Sequence, residues 1–469
     1  MNNDKLFEYI GGRSCAVLGM GVSNLPLVKQ LCEWNTELTV YDRRKAEELG
    51  EDAALMKKSG VRFVTSDGEF SGIGENLIFR SPGIRPDKTG IASAVERGAE
   101  LTSEIELTMM LSDSATYGIT GSDGKTTTTT LTGKFLEAAE DGKVFVGGNI
   151  GSPLLCRIPE MTEKDKTVLE LSSFQLMTSV CAPDFAAITN VSPNHLDWHT
   201  DMDEYVTAKK NIVGENTKRL VTNADCADTL RIANDCSVKE LCLFSSRLTA
   251  KEVFQRCPGC YAAITLVGDD IVFSGKWGDD AVLNINDINV PGMHNVENFM
   301  TAIGLTWGHI PTEVYGRVAR GFFGVEHRLE FVRHLDGVSY YNSSIDSSPT
   351  RTAAALSAMK EKSLVIICGG YDKNLDYAPL GEAICRHGGI RGVVLTGATA
   401  QKIGSAVEAF SPCHPPLVYK KDFAEAVATA RELAKSGDSV VLTPASASFD
   451  AFKNFDERGK TFKRIVNEF

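Results

Sequence analysis

A glycine-rich loop between an apolar strand pattern and a helical pattern is the feature that most constrains the fold of this chain. Residues 115–120 have the composition of a buried β-strand, and residues 121–127 read Gly-Ser-Asp-Gly-Lys-Thr-Thr. A loop of this kind directs backbone N–H groups and the positive end of a helix dipole at a polyphosphate. The match to GxxxxGK[ST] is not literal, because the first glycine of that spacing falls on Ile119. The pattern predicts that Lys125 contacts the β- and γ-phosphates and that the Thr126 hydroxyl binds Mg²⁺.

A second glycine turn lies close to the N-terminus. It occupies residues 19–23, after an apolar strand pattern at 13–18, and a further strand pattern at 38–41 ends at Asp42. A glycine turn after one strand and an acid at the end of the next are typical of a nucleotide-binding βαβ unit. The third glycine of the dinucleotide fingerprint is missing. The residues alone therefore leave three interpretations open: NAD, a different nucleotide diphosphate, or a tight turn without a ligand.

Length and strand order predict three tandem α/β domains. At roughly 150 residues per domain, 469 residues are enough for about three. We predict a Rossmann-like domain at 1–104, a central P-loop domain with a mostly parallel sheet at 105–324, and a second Rossmann-like domain at 325–469. Between 261 and 288 the pattern changes to that of a hairpin, which adds a small antiparallel element to the central sheet.

Composition excludes several classes of protein. The chain has 43% apolar and 23% charged residues, as globular proteins do, and a formal net charge of -12. It therefore lacks the basic surface that general binding to nucleic acids or anionic membranes requires. Neither a secretory signal nor an apolar run of membrane-spanning length is apparent, and the 12 cysteines lack zinc spacing. We predict a cytoplasmic protein that binds neither nucleic acid nor a membrane.

Two further candidates for chemistry follow strands of the central domain. Glu170 ends the strand pattern 167–169, so we expect it at the carboxyl edge of the sheet beside the glycine loop, where a hard cation would need oxygen ligands. His195 and His199 flank Asp197 after the next strand. These three could suggest zinc, but further ligands at zinc spacing are not obvious. His195 is therefore interpreted as a group near a hard cation or a substrate carboxylate, and His199 as a loop histidine.

Several motifs, in order along essentially the whole chain, resemble those of the Mur ligases, and within that family those of the type that adds D-glutamate. The family-wide motifs are Thr120-Gly-Ser-Asp-Gly-Lys125-Thr-Thr, Gly147-Gly-Asn149-Ile-Gly, His195-Leu-Asp197, His294-Asn-Val-Glu-Asn298 and Glu326-His327-Arg328-Leu-Glu. The motifs of the D-glutamate-adding type are Ser81-Pro-Gly-Ile84, Glu170-Leu-Ser-Ser-Phe-Gln-Leu176 and Pro444-Ala-Ser-Ala-Ser448-Phe-Asp-Ala-Phe-Lys-Asn-Phe455-Asp-Glu-Arg-Gly459.

The resemblance implies an ATP-dependent amide ligase of peptidoglycan precursor synthesis. ATP would phosphorylate the alanyl carboxylate of UDP-N-acetylmuramoyl-L-alanine, and the amine of D-glutamate would attack the acyl phosphate. A tetrahedral intermediate would then lose phosphate. A carboxylate is a poor electrophile at neutral pH, so phosphorylation supplies the leaving group. The resemblance also implies two Mg²⁺ ions, small-molecule substrates as the only partners, and a monomer.

Matching positions imply a role for each candidate residue. Lys125, Glu170, His195 and Lys209 would be catalytic; Thr126, Glu170, His195 and Lys209 would form the metal site, with Lys209 carbamylated. The ATP-binding positions are Gly121, Ser122, Asp123, Gly124, Lys125, Thr126, Thr127, Asn298, Arg328 and Asp346. The UDP-substrate positions are Gly19, Met20, Gly21, Val22, Ser23, Asp42, Arg44, Ser81, Pro82, Gly83, Asn149, Ser172 and Gln175. The D-glutamate positions are His195, Ser347, Lys373, Ser448, Phe449 and Phe455.

One segment departs from the family pattern. Where many members have Asp and Lys, this chain has Ser343 and Ile345, which affects the expected contacts to the ATP ribose. Our hypothesis is that Asp346 replaces the missing carboxylate. The rival interpretations are another amide ligase of the superfamily, such as a folylpolyglutamate synthetase or a Mur ligase with a different amino acid, a nicotinamide-dependent oxidoreductase, and a nucleotide-binding protein without catalysis.

Overall fold

The computed structural model describes residues 5–21, 23–49, 51–290, 292–360, 362–373 and 375–469. It has an α/β fold with three sheets and separates into two compact units, Met1–Gly321 and Phe322–Phe469. The first unit holds two sheets and the second holds one, in agreement with the predicted three-domain α/β class. We propose domain boundaries after residues 104 and 324. None of the described helices has the length and apolar character that crossing a bilayer requires.

The N-terminal sheet has five parallel strands in the order β3-β2-β1-β4-β5. The strands are β1 (Cys15–Leu18), β2 (Leu38–Asp42), β3 (Arg62–Thr65), β4 (Leu77–Arg80) and β5 (Glu100–Thr102). The helices are α1 (Lys5–Ile10), α2 (Leu25–Glu33), α3 (Glu51–Lys58), α4 (Thr89–Glu96) and α5 (Glu104–Leu111). The predicted βαβ unit is confirmed, because β1 and β2 pair in parallel around α2. Every residue of β1 is buried, as in a parallel strand covered on both faces.

The central sheet has nine strands in the order β14-β13-β12-β11-β10-β9-β6-β8-β7. The strands are β6 (Ala115–Thr120), β7 (Val144–Gly148), β8 (Lys166–Glu170), β9 (Phe185–Ile188), β10 (Arg219–Asn223), β11 (Glu240–Ser245), β12 (Ala262–Val267), β13 (Asp270–Gly275) and β14 (Gly278–Asn284). The helices are α6 (Lys125–Ala138), α7 (Ser173–Leu176), α8 (Met202–Lys210), α9 (Ala227–Asp235), α10 (Ala250–Arg256), α11 (Met293–Thr306) and α12 (Glu313–Gly321). The predicted antiparallel hairpin is confirmed as β12 and β13, and β14 extends it.

The third sheet has the order β15-β16-β20-β17-β18-β19, and only its β15–β16 pair is antiparallel. The strands are β15 (Glu330–Leu335), β16 (Val338–Asn342), β17 (Leu364–Gly369), β18 (Ile390–Thr396), β19 (Leu417–Tyr419) and β20 (Ser439–Leu442). The helices are α13 (Pro349–Ala358), α14 (Ala378–Arg386), α15 (Ala400–Phe410), α16 (Phe423–Leu433) and α17 (Phe455–Glu468). Apolar side chains pack on both faces of this sheet.

Helix α6, which follows the glycine loop, is held in place by packing. Five consecutive threonines follow its first residue, and threonine favours helices weakly. The hydroxyls of Thr130 and Thr132 donate to carbonyls four residues earlier, each at 2.8 Å. Phe135 packs edge-on against Phe299 of α11 and Tyr315 of α12, with ring centroids 6.0 and 4.9 Å apart. These contacts hold the N-terminus of α6 at the carboxyl end of β6.

Candidate active site

The loop between β6 and α6 has a geometry that only glycine accommodates at two positions. Gly121 and Gly124 have φ of 147° and 79°. A Cβ atom at Gly121 would collide with Thr189 Oγ1, and one at Gly124 with Asn298 Oδ1. Lys125 Nζ donates to two loop carbonyls at 2.9 Å. The loop therefore combines a helix N-terminus with an adjacent ammonium group, and both favour an anion.

The segment after β9 and helix α8 anchor the rest of this loop. The backbone N–H of Asp123 donates to Asn190 Oδ1 at 2.9 Å, and Ser122 Oγ hydrogen-bonds with the Tyr205 hydroxyl at 2.9 Å. Thr126 and Thr127 lie in the first turn of α6. Asn298, predicted to contact adenine, is buried; its Nδ2 donates to Asn295 Oδ1, and its Oδ1 accepts from Thr128 Oγ1. In this conformation Asn298 therefore packs against the loop and helix α6. Its contact with adenine stays a prediction.

Glu170 lies at the end of β8, beside the loop. It pairs across the sheet with Ile119 of β6 and is only 2% exposed. Its Oε1 accepts a hydrogen bond from Asn149 Nδ2 at 2.8 Å, whereas its Oε2 has no partner among the described residues. Buried carboxylate oxygens are rarely left without a partner in folded proteins. An unpartnered one beside a phosphate-type loop is the arrangement that a cation would complete.

Lys209 is buried behind the same loop. Its Nζ donates to the carbonyl of Gly121 at 2.8 Å and lies 4.4 Å from the ring centroid of Tyr205. Burial, reinforced by the charge of Lys125, lowers the pKa of Lys209 well below its ordinary value. Partial burial and the charges of Lys125 and Lys209 also lower the pKa of His195, which has φ of 55° on an exposed loop. The structure thus brings the predicted catalytic groups to one edge of the central sheet.

The donor set at this edge fits a hard cation better than zinc. Glu170 supplies a buried carboxylate oxygen, and Thr126 is a hydroxyl residue in the first turn of α6. Within the part of the chain that the structure describes, no group of three or more His, Cys, Asp or Glu side chains could hold a metal ion. Mg²⁺ is commonly held by one or two carboxylates together with phosphate oxygens of a substrate and water.

Ser172 and Gln175 cap the short helix α7. Ser172 N–H and Oγ both donate to Gln175 Oε1, at 2.9 and 2.8 Å, and Gln175 N–H donates to Ser172 Oγ at 3.3 Å. This reciprocal pair is a capping box. Its position directly after Glu170 places α7 at the same sheet edge. The predicted contacts of both residues with the substrate therefore compete with the cap, and they stay a prediction.

In the N-terminal domain, Asp42 holds the glycine turn and Arg44. Its Oδ2 accepts from Met20 N–H and Arg44 Nη2, and its Oδ1 accepts from Arg44 N–H and Nε, all at 2.9–3.0 Å. Burial alone would raise the pKa of Asp42, but these hydrogen bonds outweigh it and lower the pKa. A carboxylate offers about four acceptor positions, and all are used. Arg44 is therefore the group presented outward, and a ribose contact by Asp42 requires Arg44 to move.

The two turns predicted to bind UDP are in contact. Gly19 has φ of 81°, and a Cβ there would lie 2.9 Å from Ser81 Oγ. Ser81 Oγ donates to the carbonyl of Gly19 at 3.1 Å and accepts from Asn24 Nδ2 at 3.0 Å. The other predicted residues of these turns are Gly21, Ser23, Pro82 and Gly83, whereas Val22 lies outside the described residues.

A cavity of about 210 Å³ lies next to Arg44 at the carboxyl ends of β2 and β3. Ligands of doubly wound sheets bind at the carboxyl ends of the strands. The cavity is lined by one acidic side chain, three basic ones, two apolar ones and a threonine: Asp42, Arg44, Lys45, Lys57, Phe63, Val64 and Thr65. This environment suits an anionic or polar ligand.

The second unit contains the predicted nucleotide residues Arg328 and Asp346. Arg328 is exposed. Asp346 is 6% exposed; its Oδ2 accepts from Thr443 Oγ1 at 3.1 Å, and its carboxylate also interacts with the Ser343 side chain. Burial raises the pKa of Asp346. The carboxylate at 346 thus reaches the residue that replaces the usual aspartate, and its role in ATP binding stays a prediction.

The predicted D-glutamate residues of the second unit lie on the loops that follow β16, β17 and β20 and at the start of α17. Lys373 Nζ is 5.4 Å from the ring centroid of Phe449, which packs edge-on against Tyr371 at 6.0 Å. Phe449 and Phe455 are exposed, at 59% and 40%, whereas Ser448 is buried. Ser347 lies in the loop that follows β16. An exposed ammonium beside exposed aromatic rings can receive an amino-acid carboxylate.

The chain resembles known proteins along its length. Residues 119–306 match the Mur ligase middle domain, and residues 327–446 match the Mur ligase glutamate ligase domain. The chain is 42% identical to the UDP-N-acetylmuramoylalanine--D-glutamate ligase of Clostridium novyi (strain NT), over 98% of both chains. It is 41% identical to the protein of the same name from Acetivibrio thermocellus, over 99% of both. The chain belongs to the Mur ligase family.

The Mur ligase fold also appears among solved structures that resemble this one. The UDP-N-acetylmuramate-alanine ligase of Thermotoga maritima has a TM-score of 0.55 at 15% identity and covers 97% of this chain and 99% of its own. A pseudomurein peptide ligase type C from Methanothermus fervidus has a TM-score of 0.51 at 16% identity, with the same coverage. At these identities the likeness shows the fold alone.

Three residues of this Mur ligase stand out only in the structure: Arg80, Arg85 and Arg458. Arg458 is buried and donates to the carbonyls of Ser344, Ser446 and Ala447 at 2.9–3.1 Å, so it joins two loops of the second unit. Burial lowers its pKa to about 10. His199, interpreted from sequence as a loop residue, is buried and hydrogen-bonded at both ring nitrogens. Each of these residues lies in or next to a quoted motif, which was the available signal.

Proposed function

We propose that this chain is the ligase that joins D-glutamate to UDP-N-acetylmuramoyl-L-alanine at the expense of ATP. The observation that carries the proposal is full-length identity of about 40% to relatives named for this reaction, combined with the sheet edge where Lys125, Glu170 and Lys209 meet. The N-terminal turns are proposed to bind the UDP group, and the exposed loops around Lys373 to bind D-glutamate.

The chemistry requires activation of a carboxylate, and the residues beside the glycine loop suit this need. The alanyl carboxylate attacks the γ-phosphorus of ATP, ADP leaves, and an acyl phosphate forms. The amine of D-glutamate then attacks the acyl carbon, loses a proton and expels phosphate. Lys125 and the N-terminal amides of α6 are proposed to stabilise the negative charge on the transferred phosphoryl group. Positioning contributes most of the remaining rate enhancement in such transfers.

Glu170, Thr126 and His195 are the proposed residues for two Mg²⁺ ions, with Lys209 as an indirect support. When bound, Mg²⁺ neutralises charge on the phosphate oxygens. We propose that the Lys209 ammonium first loses a proton, and that the neutral amine then forms an N–C bond with CO₂ and loses a second proton, which converts a cation into a carbamate anion. Its burial next to the Gly121 carbonyl supports this proposal, because an ammonium at that depth lacks a carboxylate partner among the described residues.

The proposed substrates are small molecules, and we propose that the chain acts as a cytoplasmic monomer. The free thiols of its 12 cysteines agree with a reducing compartment. Light scattering of the purified protein would test the monomer, since a mass near 50.8 kDa is expected.

The test of the proposed function is ADP release with UDP-N-acetylmuramoyl-L-alanine, ATP and Mg²⁺, compared across D-glutamate, L-glutamate, L-alanine and meso-diaminopimelate. We expect turnover with D-glutamate alone. Turnover with another amino acid would retain the ligase chemistry and refute the assigned D-glutamate residues. Absence of turnover with all four would refute the proposal.

A further inference from the structure

Two arginines flank the turn 81–84 that is proposed to bind the UDP-linked substrate. Arg80 is the last residue of β4, and Arg85 follows the turn. Both side chains leave the N-terminal domain and reach the central domain, within the same compact unit. They contact the central domain at different elements, α7 and α8. The turn is therefore connected at each end to a different part of the proposed catalytic edge.

Arg80 connects the turn to helix α7. Its Nη1 donates to the carbonyls of Pro82 and Ile84 at 3.1 and 2.6 Å, and its Nη2 donates to the carbonyl of Phe174 at 2.9 Å and to Thr178 Oγ1 at 3.0 Å. The hydrogen-bond acceptors of Arg80 among the described residues are all uncharged oxygens. Arg80 is 1% exposed, and burial lowers its pKa to about 10. A buried guanidinium held by uncharged groups costs stability, so a hydrophobic residue would serve simple packing better.

Arg85 connects the turn to the N-terminus of helix α8. Its guanidinium forms a fork with the Glu204 carboxylate, at 3.0 and 3.1 Å, and donates to the carbonyl of Trp198 at 2.7 Å. It also lies 5.0 Å from the Trp198 ring centroid and pairs with Asp87 at 2.8 Å. Trp198 Nε1 in turn donates to the carbonyl of Gly83 inside the turn, at 3.1 Å. The turn and the loop before α8 are thus held by reciprocal contacts.

Glu204, which lies on α8, is also connected to α7. Glu204 hydrogen-bonds to His199 Nδ1 at 3.0 Å, and His199 Nε2 hydrogen-bonds to Ser173 Oγ of α7 at 2.9 Å. The hydrogen bond from Arg85 is the main cause that lowers the pKa of Glu204 to about 2, so the carboxylate stays charged. Glu204 also lies on α8, five residues before Lys209. One set of contacts therefore links the turn, α7 and the helix that carries Lys209.

We propose that Arg80 and Arg85 are positioning residues that hold the turn 81–84 in register with α7 and α8, so that binding of the UDP-linked substrate is coupled to assembly of the phosphate-transfer residues. The inference rests on the proposed function for the identity of the substrate. Neither arginine touches the reacting atoms. Their effect passes through Glu170 and Lys209. Glu170 lies just before α7, which Arg80 contacts, and Lys209 lies on α8, which Arg85 contacts. Displacement of a positioned group by about 1 Å can reduce a rate by about 10²-fold.

The test uses the variants Arg85→Met, Arg85→Lys, Glu204→Gln and Thr178→Val of the full-length protein. We expect Arg85→Met to raise KM for the UDP-linked substrate and to lower kcat, each by about tenfold or more, with ADP affinity of the substrate-free enzyme unchanged within twofold. Arg85→Lys should recover part of the loss, since lysine keeps the charge without the fork. Glu204→Gln should resemble Arg85→Lys. Thr178→Val, which removes one contact of Arg80, should give a smaller effect of the same kind.

Arg62→Met is the matched control. Arg62 is also an arginine of the N-terminal sheet that pairs with a buried carboxylate, Glu75, at 2.8 Å. It also donates to Thr39, so both of these contacts stay within the N-terminal domain. We expect Arg62→Met to lower thermal stability and to leave KM for the UDP-linked substrate and the affinity for ADP unchanged. Thermal melting of every variant shows whether it is folded.

A variant that lowers kcat in proportion to its folded fraction, with KM for the UDP-linked substrate unchanged, would overturn the proposal, because a structural role alone predicts that result. Wild-type protein without D-glutamate-dependent turnover would refute the proposed function instead. In that case calorimetric titration with UDP still decides the inference: weaker binding to Arg85→Met than to Arg62→Met supports it, and equal binding refutes it.

Discussion

The unpartnered oxygen of Glu170 gives a prediction in which stability and activity change in opposite directions. Glu170→Gln keeps the size of the side chain and keeps an oxygen that can accept from Asn149 Nδ2. It removes the charge from a side chain that is 2% exposed and whose Oε2 has no partner among the described residues. If the Glu170 carboxylate serves to hold a cation, removal of its charge should stabilise the ligand-free protein.

The magnitude follows from the cost of burying an unpartnered acceptor. Such a group costs about 1–3 kcal/mol, and more when it is charged. The amide of glutamine also lacks a partner at that position, so only the difference between charged and neutral forms is recovered. We expect Glu170→Gln to stabilise the ligand-free protein by about 1 kcal/mol. Turnover should fall by about 10²–10³-fold, as when one group that stabilises transferred charge is lost.

The assay is thermal melting with and without Mg²⁺ and ADP, together with ADP release. The wild-type protein should gain stability from Mg²⁺ with ADP, because a ligand that binds only the folded state stabilises it. The variant should melt at a higher temperature than wild type without ligand and should lose most of the gain from Mg²⁺. This opposition between function and stability is typical of a binding site.

Glu104→Gln provides the matched control. Glu104 is also a buried carboxylate of the first unit, but its Oε1 accepts from Leu154 N–H and Leu155 N–H at 2.8 and 3.0 Å. The Glu104→Gln substitution should not alter the thermal stability that the protein gains from Mg²⁺ and ADP. The reasoning is refuted if Glu170→Gln destabilises the ligand-free protein while it retains wild-type turnover, because Glu170 would then be a structural partner of Asn149.

Three further predictions concern the second unit. Lys373→Met should raise KM for D-glutamate about tenfold or more without a change in KM for ATP, since a charge-assisted hydrogen bond contributes about 1.5–3 kcal/mol; equal effects on both KM values would contradict this assignment. Asp346→Asn should raise KM for ATP, and an unchanged KM would refute the hypothesis that it replaces the carboxylate missing at Ser343. Burial opposes ionisation of Asp438, but hydrogen bonds from Arg391 and a backbone N–H outweigh burial and lower its pKa to about 2. Its contribution to stability is therefore present above about pH 4 and lost as the pH falls toward 2, so Asp438→Asn should destabilise at pH 7 and not at pH 2, as measured by unfolding at both values.

Strands could be predicted from sequence where both faces are buried. β1 and β6 consist almost entirely of buried residues, and their apolar runs identify them. Edge strands such as β3 and β19 are partly exposed and have only four and three residues, so their apolar runs are too short to identify them. β10 is buried, but the sequence does not predict it, because Arg219 at its start weakens the apolar signal.

Site residues could be predicted where a motif carried them, and not where a distant contact defines their role. Lys125 and Glu170 lie in motifs with an evident chemistry. Arg80 and Arg85 acquire their role only through Phe174 and Glu204, which are 94 and 119 residues away in the chain. A single sequence does not show such pairings. The same limit applies to the saturated hydrogen bonding of Asp42.

The central claim is that this chain transfers the γ-phosphoryl group to a carboxylate and then joins that carboxylate to D-glutamate. The most direct measurement is mass spectrometry of the products formed from ATP, D-glutamate and UDP-N-acetylmuramoyl-L-alanine labelled with ¹⁸O in the alanyl carboxylate. We predict a product enlarged by one D-glutamate residue and inorganic phosphate that carries one ¹⁸O atom. Phosphate without ¹⁸O, or ADP release without the enlarged product, would contradict the account.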